Sequence, residues 1–229
     1  AFFLAFVQGF GILTNWSSRS TKLKNLYAYL AILILITIIL SILFLNNISL
    51  SIIITNLMIS SILAGLIIYS FLQLKNSRKM NLSMEFSHFG IAIMILGIGL
   101  VSSLESQKEL IAFKDKPFEL GDYEISYQGE EKITARNFSS DEVSFKVKDS
   151  NNEFNLIAEK RFYPVSKSIM TEAAIYPSIR EDLYISIGDQ VEQGWVVKAQ
   201  LKPFVRLIWL GALIMAFGGF LSIFRFKRS

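Results

Sequence analysis

The sequence contains no cysteine among its 229 residues, and its only histidine is His88. The missing thiols exclude a disulfide, a zinc–thiolate site and a cysteine-bound iron–sulfur cluster within this chain. No nucleophile–histidine pair is present either, because the one imidazole lies inside a long apolar run. Gly97-Ile98-Gly99 lies in the same run and follows no predicted strand, so it does not indicate a phosphate-binding loop.

Charged side chains are nearly absent from four long stretches of the sequence. Each stretch exceeds the roughly 18 apolar residues that mark a helix able to cross a bilayer. Overall, 52% of the residues are hydrophobic, and the mean hydropathy is +0.44. The chain is therefore predicted to be a membrane protein. The predicted transmembrane helices are residues 26–45, 48–74, 82–104 and 204–224.

The two ends of the sequence carry different signals. Residues 1–13 are apolar but too short to span a bilayer, and they begin with neither Met nor a basic segment. This pattern predicts the end of a truncated transmembrane helix rather than a signal peptide. Residues 225–229 contain three basic residues and predict a short cytoplasmic tail.

Charge is divided unequally along the chain. Residues 104–203 contain 13 Lys and Arg against 18 Asp and Glu, a net charge of −5, whereas the remainder is net +9. The pI of 9.2 does not indicate nucleic-acid binding, because the excess basic residues lie at the ends of predicted helices. The positive-inside rule assigns three basic clusters to the cytoplasm or the mitochondrial matrix. These clusters are Arg19 with Lys22 and Lys24, Lys75 with Arg78 and Lys79, and Arg225 with Lys227 and Arg228.

Residues 105–203 are consequently predicted to lie in the periplasm or the intermembrane space. Short alternating segments separated by Gly, Asp and Asn turns predict strands here, and no helical periodicity of useful length is present. The predicted fold class is an α-helical transmembrane bundle with one small antiparallel β-rich extracytoplasmic domain, either a barrel or a sandwich. The predicted strands are residues 123–127, 143–147, 154–162, 183–187 and 195–201.

His88 is an ionisable residue inside the predicted helix 82–104, about 9 Å from its cytoplasmic end at 1.5 Å per residue. Such residues are costly in a bilayer and indicate function. A neutral imidazole can bind haem iron. Small residues on the same face, Ala92, Gly99 and Ser103, would let a flat macrocycle lie close to the helix backbone. Proton relay, a hydrogen bond to a neighbouring helix and simple packing of the small residues are alternatives.

Two charged residues also lie within the apolar runs. Glu85, three residues before His88, can accept the imidazole N–H or a proton, or simply complement the positive end of the helix dipole. Arg206 lies near the outer end of the last helix, after Lys202-Pro203. Its side chain can extend to the membrane interface or contact a haem propionate.

Several segments closely resemble CcmF, the large haem-lyase subunit of the cytochrome c maturation system of many bacteria and some mitochondria. Residues 87–92 are similar to that family's helix carrying an axial ligand of a membrane b haem. The family's Trp-rich segment, its two external histidines and the partner histidine of the b haem are absent, so the resemblance implies a C-terminal third. The other similar segments are residues 11–16, 160–165, 170–175, 182–184 with Gly188, and 202–219.

The resemblance implies that this chain is one part of a haem lyase and that the part is inactive alone. In that family, two thiols of a Cys-x-x-Cys-His segment of apocytochrome c add across the haem vinyl groups and form thioethers. Haem is the substrate and arrives on the haem chaperone CcmE, CcmH presents the apoprotein, and the N-terminal part of CcmF completes the subunit. A membrane b haem keeps the delivered haem reduced, with quinol as an electron source. His88 would ligate this b haem and Arg206 would contact a propionate, whereas no catalytic residue is indicated.

The expected location is the bacterial inner membrane, or the mitochondrial inner membrane if an organelle encodes the chain. The residues alone leave two other functions open. The chain can be a scaffold that anchors a partner-docking β domain. It can also be part of a transporter in which His88 and Glu85 relay protons.

Overall fold

A computed structural model describes residues 23–43, 50–75, 81–114, 116–150, 152–192 and 194–226. The chain forms two compact units, a helical unit and a β unit that comprises Leu104–Pro203. The expected helix end at 1–13, the similar segment at 11–16 and residues 227–229 of the expected tail lie outside the described residues. So do four of the basic residues used for topology, which are Arg19, Lys22, Arg78 and Lys79.

Within the part of the chain that the structure describes, four helices form in the apolar stretches, because a backbone in lipid must satisfy its N–H and C=O groups within its own segment. Three contain spans long and apolar enough to cross a membrane, and α1 is apolar over the shorter stretch Tyr27–Ile42. The prediction of a helical membrane protein is confirmed. The helices are α1 (Leu23–Leu43), α2 (Leu50–Lys75), α3 (Leu82–Leu104) and α4 (Val205–Phe226).

Helices α3 and α4 pack closely where glycines face the partner backbone. A Cβ added to Gly90 would lie 2.6 Å from the carbonyl oxygen of Gly211, and one added to Gly218 would lie 2.7 Å from the amide nitrogen of Ser87. The hydroxyl of Ser83 also donates to the carbonyl of Gly218 at 2.6 Å. Small residues allow this close approach of the two backbones. The resulting van der Waals contacts stabilise the helix pair, because the hydrophobic effect does not drive helices together within lipid.

Helices α1 and α2 are joined by a buried polar contact within an apolar surround. The hydroxyls of Tyr29 and Ser61 lie 2.6 Å apart and are both buried. Leu33, Ala64 and Ile68 pack around this pair. The contact joins the two helices in an apolar environment, where a buried hydroxyl without a hydrogen bond would be costly.

The β unit is a two-sheet antiparallel sandwich, which decides between the two predicted folds. One sheet has the strand order β1-β9-β8-β7 and the other β2-β3-β4-β5-β6. The chain passes between the sheets twice, between β1 and β2 and again between β6 and β7. The strands are β1 (Ser106–Phe113), β2 (Phe118–Leu120), β3 (Tyr123–Thr134), β4 (Ser139–Lys148), β5 (Glu153–Tyr163), β6 (Ser168–Glu172), β7 (Ala174–Tyr176), β8 (Glu181–Val191) and β9 (Gly194–Pro203).

Alternate residues of the long strands build the sandwich core. Because side chains in a strand point to opposite faces in turn, alternate residues are buried over part of each of four long strands, at 123–127 in β3, 143–147 in β4, 183–187 in β8 and 195–203 in β9. The fully buried side chains include Ile125, Val143, Phe145, Val147, Leu183, Ile185 and Val197.

Candidate functional site

His88 lies in the second turn of α3 and is half-buried. Its Nδ1 lies 2.8 Å from the carbonyl oxygen of Met84, one turn earlier. A carbonyl can only accept, so Nδ1 must carry the proton and donate it. In the neutral ring this leaves the lone pair on Nε2, which is the arrangement of a histidine that binds a metal through one nitrogen while the other is held by a hydrogen bond.

Glu85 does not hold the imidazole. It lies in the first turn of α3, which agrees with a carboxylate near the positive end of the helix dipole. Its side chain lies near Ser70 on α2, and its Oε1 atom is buried and has no hydrogen-bond partner. The Nδ1–H group of His88 donates to the carbonyl of Met84 instead, so the alternative in which Glu85 accepts this proton is not formed.

The small-residue face next to His88 is a helix-packing surface. Ala92 is buried in a cluster with Ile59 and Ile62 of α2. A Cβ added to Gly99 would overlap the side chain of Thr55, also on α2. The expectation that a macrocycle lies along this face is therefore wrong, because α2 already covers it. The packing alternative is the correct interpretation of these residues.

The residues present fit one axial ligand of a haem rather than a complete metal centre. Among the described residues, His, Cys, Asp and Glu do not gather in any group of three or more. Since the sequence has one histidine, a second imidazole ligand would come from residues outside this sequence. Phe86 and Phe89 are both partly exposed, and Phe86 packs edge to face against Phe217 of α4, with ring centroids 5.3 Å apart.

Arg206 lies in the first turn of α4 and is exposed, near the exposed indole of Trp209. Gly90 meets Met215 and Gly97 meets Ile208 across the helix pair. Arg206 therefore lies about eleven residues, or roughly 16 Å, further along the pair than His88. Arg206 and His88 therefore lie at different heights along the axes of the α3–α4 pair.

The segment at 160–165 supplies an ion-pair network rather than catalytic groups. Arg161 donates from Nε and Nη2 to the carboxylate of Glu159, at 2.8 and 3.0 Å. Glu172, from the second similar segment, lies 3.5 Å from Nη1, and the ring of Phe138 faces the guanidinium. The Arg161 guanidinium lowers the pKa of the Glu159 carboxyl below its usual value, and the hydroxyl of Ser140 adds to this effect.

Lys160 ties the two sheets together at one end of the sandwich. Its ammonium donates to Asp189 at 2.6 Å and to the carbonyl of Gly188 at 3.1 Å, both on β8. The ammonium lowers the pKa of the exposed Asp189 carboxyl. The segment at 160–165 and Gly188 were recognised separately in the sequence, and the structure shows that they meet.

A cleft of about 260 Å³ lies beside Lys160, lined by side chains from β4, β5, β6, β8 and β9. Trp195 and Gln190 at this end both donate to the carboxylate of Glu130. Sequence reasoning did not find this cleft. Its lining residues are distant along the chain, and no local spacing of residue types indicates that they converge.

The comparisons with known proteins point to one family. The profile described as "CcmF C-terminal beta-sandwich" matches residues 103–203, the β unit. The chain is similar to the cytochrome c-type biogenesis protein CcmF of Escherichia coli, with 31% identity over 96% of this chain and 35% of that protein. The CcmF of Pseudomonas aeruginosa is 39% identical over 61% of this chain and 22% of its own length.

A solved structure shares the fold over most of the chain. The protein titled "Cytochrome c Heme Lyase CcmF" superposes with a TM-score of 0.72 and 16% identity, over 94% of this chain and 37% of that one. The chain thus spans about a third of the length of the Escherichia coli relative and of this structure. On these matches, the chain belongs to the CcmF family of cytochrome c-type biogenesis proteins and corresponds to its C-terminal part.

Proposed function

We propose that this chain supplies one axial ligand, His88, to a membrane b haem of a cytochrome c haem lyase. The observation that carries the proposal is the hydrogen bond from Nδ1 to the carbonyl of Met84, which leaves Nε2 as the free lone pair. The half-buried position lets the ring reach a cofactor held partly by residues outside this sequence. Membership of a family whose solved relative is titled a heme lyase supports this chemistry.

When bound within the lyase, the b haem held by His88 would supply the electrons that keep the substrate haem reduced, with quinol as their source. The two thiols of apocytochrome c then add across the vinyl groups of the substrate haem, each sulfur bonding carbon and each proton moving to the neighbouring carbon. The role of this chain's own residues is to hold and orient the haem-binding side chain. Met84 fixes the ring of His88, and α2 and α4 pack on either side of α3. The chain alone would not catalyse attachment.

The partners in this proposal are the N-terminal part of CcmF, CcmH, the haem chaperone CcmE and apocytochrome c. The proposed location is the bacterial inner membrane, or the mitochondrial inner membrane if an organelle encodes the chain. Lys75 and Arg225, at the ends of α2 and α4, support placing those ends on the cytoplasmic or matrix side. The β unit then lies in the periplasm or intermembrane space.

The experiment is an optical spectrum of the intact complex that contains this chain with His88→Ala. We expect the reduced b-type absorbance to disappear, because the iron loses a strong-field nitrogen ligand. Phe89→Ala is the matched control, since it removes an exposed neighbouring ring without touching Nδ1 or Nε2. A full b-type spectrum in the His88→Ala complex, or a haem-free wild-type complex, contradicts the proposal.

Arg206 is proposed to contact a haem propionate from the outer end of α4. Arg206→Ala should leave the b-type spectrum in place and lower the yield of mature cytochrome c several-fold, whereas Arg206→Lys should retain more of it because the charge stays. The measurement is the amount of covalently attached haem per cell. A wild-type yield of mature cytochrome c from the Arg206→Ala variant would show that this side chain serves only as an anchor at the membrane interface.

A further inference from the structure

Helix α4 contacts the backbone of α3 over the turn that leads to His88. The hydroxyl of Ser83 donates to the carbonyl of Gly218 at 2.6 Å, and the hydroxyl of Ser87 donates to the carbonyl of Ser83 at 2.9 Å. A Cβ added to Gly218 would lie 2.7 Å from the amide nitrogen of Ser87 and 2.8 Å from the carbonyl oxygen of Ser83. The two backbones are therefore in direct contact immediately before the histidine.

The two helices also meet immediately after His88. Gly90 is buried, and a Cβ added to it would lie 2.6 Å from the carbonyl oxygen of Gly211 and 2.7 Å from the amide nitrogen of Met215. Contacts on both sides of residue 88 leave the α3 backbone little freedom to move relative to α4. The height and rotation of α3 at His88 are thus set by α4.

His88 lies on a different face of α3 from these contacts. Each residue of an α-helix adds a rotation of about 100°. Ser83, Ser87 and Gly90 consequently lie within about 60° of one another around the helix axis. His88 lies roughly 130° from the centre of this group. Ala92, one turn after His88, is buried against α2. Helix α3 is therefore held between α4, which contacts its backbone, and α2, which lies on the side of the imidazole.

The position of this turn determines the position of the imidazole ring. The acceptor for Nδ1 of His88 is the carbonyl of Met84, which belongs to the turn that α4 contacts. A Cβ at Gly218 would force the backbones apart, because real Cβ atoms do not approach other atoms closer than 3.0 Å. The turn would then move away from α4, and the acceptor would move with it. A binding side chain must be held within about 0.5 Å of its productive position, so a shift of this kind should be visible at the iron.

We propose that Gly218 and Ser83 are positioning residues for the axial ligand. The close backbone contact that Gly218 permits, and the hydrogen bond that Ser83 donates, set how far the ring of His88 projects and the plane in which it lies. Both residues act through the backbone of α3 rather than on the iron. The inference rests on the proposed function, because it concerns the ligand of the same b haem.

The test is the electron paramagnetic resonance spectrum of the oxidised b haem in the intact complex. The largest g value of a low-spin ferric haem depends on the orientation of its axial imidazole planes. Gly218→Ala should shift this g value in the haem that remains bound. Gly219→Ala is the matched control and should give the wild-type g value, because among the described residues a Cβ at this position meets nothing within 4 Å.

Ser83→Ala tests the same contact without adding volume, and it decides the matter if Gly218→Ala does not assemble. Removal of the hydroxyl should shift the g value, whereas Ser83→Thr keeps a hydroxyl and should retain the wild-type value. Carbon monoxide binding to the reduced haem is the second measurement. We expect the share of haem that binds carbon monoxide to rise several-fold in Gly218→Ala and Ser83→Ala, because a misplaced ligand is displaced more easily.

The outcomes separate positioning from simple destabilisation. A lower haem content in Gly218→Ala and Ser83→Ala, with wild-type g values in the remaining haem, would overturn the inference. Equal shifts in Gly218→Ala and Gly219→Ala would also overturn it. A wild-type signal in His88→Ala would overturn the proposed function itself. A signal that depends on His88 but on neither Gly218 nor Ser83 would overturn this inference alone.

Discussion

The Nδ1 atom of His88 donates a hydrogen bond to the backbone carbonyl of Met84 at 2.8 Å. The acceptor is main chain, so no substitution at residue 84 removes it without disturbing the helix. This contact sets both the tautomer and the plane of the ring. It also separates His88 from Glu85, whose side chain is directed to Ser70 on α2. The residue that could ligate iron is therefore held independently of the neighbouring carboxylate.

The glycines of α4 provide a matched pair for testing the helix interface. Gly218→Ala should lower the free energy of unfolding of the helical unit by about 1–3 kcal/mol, because its Cβ would collide with the backbone of Ser87. Gly219→Ala should be neutral or stabilising by up to about 1 kcal/mol, because a Cβ there meets nothing within 4 Å. Unfolding in detergent micelles followed by circular dichroism compares the two, and equal effects would contradict the described packing.

The Tyr29–Ser61 contact predicts a measurable coupling between α1 and α2. Tyr29→Phe and Ser61→Ala should each lower the free energy of unfolding by about 1 kcal/mol, since each leaves a buried hydroxyl without this partner. A double-mutant cycle should give a coupling of about 0.6 kcal/mol, the usual value for hydrogen bonds between membrane helices. Strictly additive effects would show that the two hydroxyls do not interact.

The Glu159–Arg161 pair predicts a pH dependence of the stability of the β unit. Arg161 lowers the pKa of Glu159 in the folded chain. The pair therefore stabilises the folded β unit at pH values above 4.5, the ordinary pKa of this carboxyl. This contribution should be lost as pH falls below 4.5 through the folded pKa. The stability difference between wild type and Glu159→Gln should thus shrink in acid, and it should depend less on pH when Arg161→Met is also present, because only burial and the hydroxyl of Ser140 then act on the carboxyl.

Urea unfolding measures this difference, with the fluorescence of Trp195 as the signal in a chain whose Trp16 and Trp209 are replaced by Phe. Trp195 is 3% exposed in the sandwich core, so its emission should shift when the β unit unfolds. A stability difference that stays constant from neutral to acid pH would show that Arg161 does not influence the ionisation of Glu159.

The helices could be predicted from the sequence nearly to their ends. An uncharged run long enough to cross a bilayer leaves few alternatives, and the described helices begin and end within a few residues of the predicted ones. The face along Ala92 and Gly99 shows the limit of this reasoning. Small residues allow either a macrocycle or a helix to approach, and only the position of α2 decides between them.

The β unit was predicted less completely. All five predicted strands lie within described strands, because alternation is strong where one face is buried. β1 begins with Ser-Gln-Lys-Glu and shows little alternation, while β2 and β7 are too short for a periodic signal. β6 and β7 are separated only by Ala173, where the chain changes sheets. The cleft depends on contacts between distant strands, which a local pattern cannot show.

The most direct measurement of the central claim is the reduced-minus-oxidised spectrum of the intact complex with His88→Gly, recorded with and without added imidazole. The account predicts that the b-type band is lost in the variant and returns when imidazole occupies the vacated space and ligates the iron. A b-type band of full intensity in His88→Gly without imidazole would contradict the account, because the iron would then have its ligand from elsewhere.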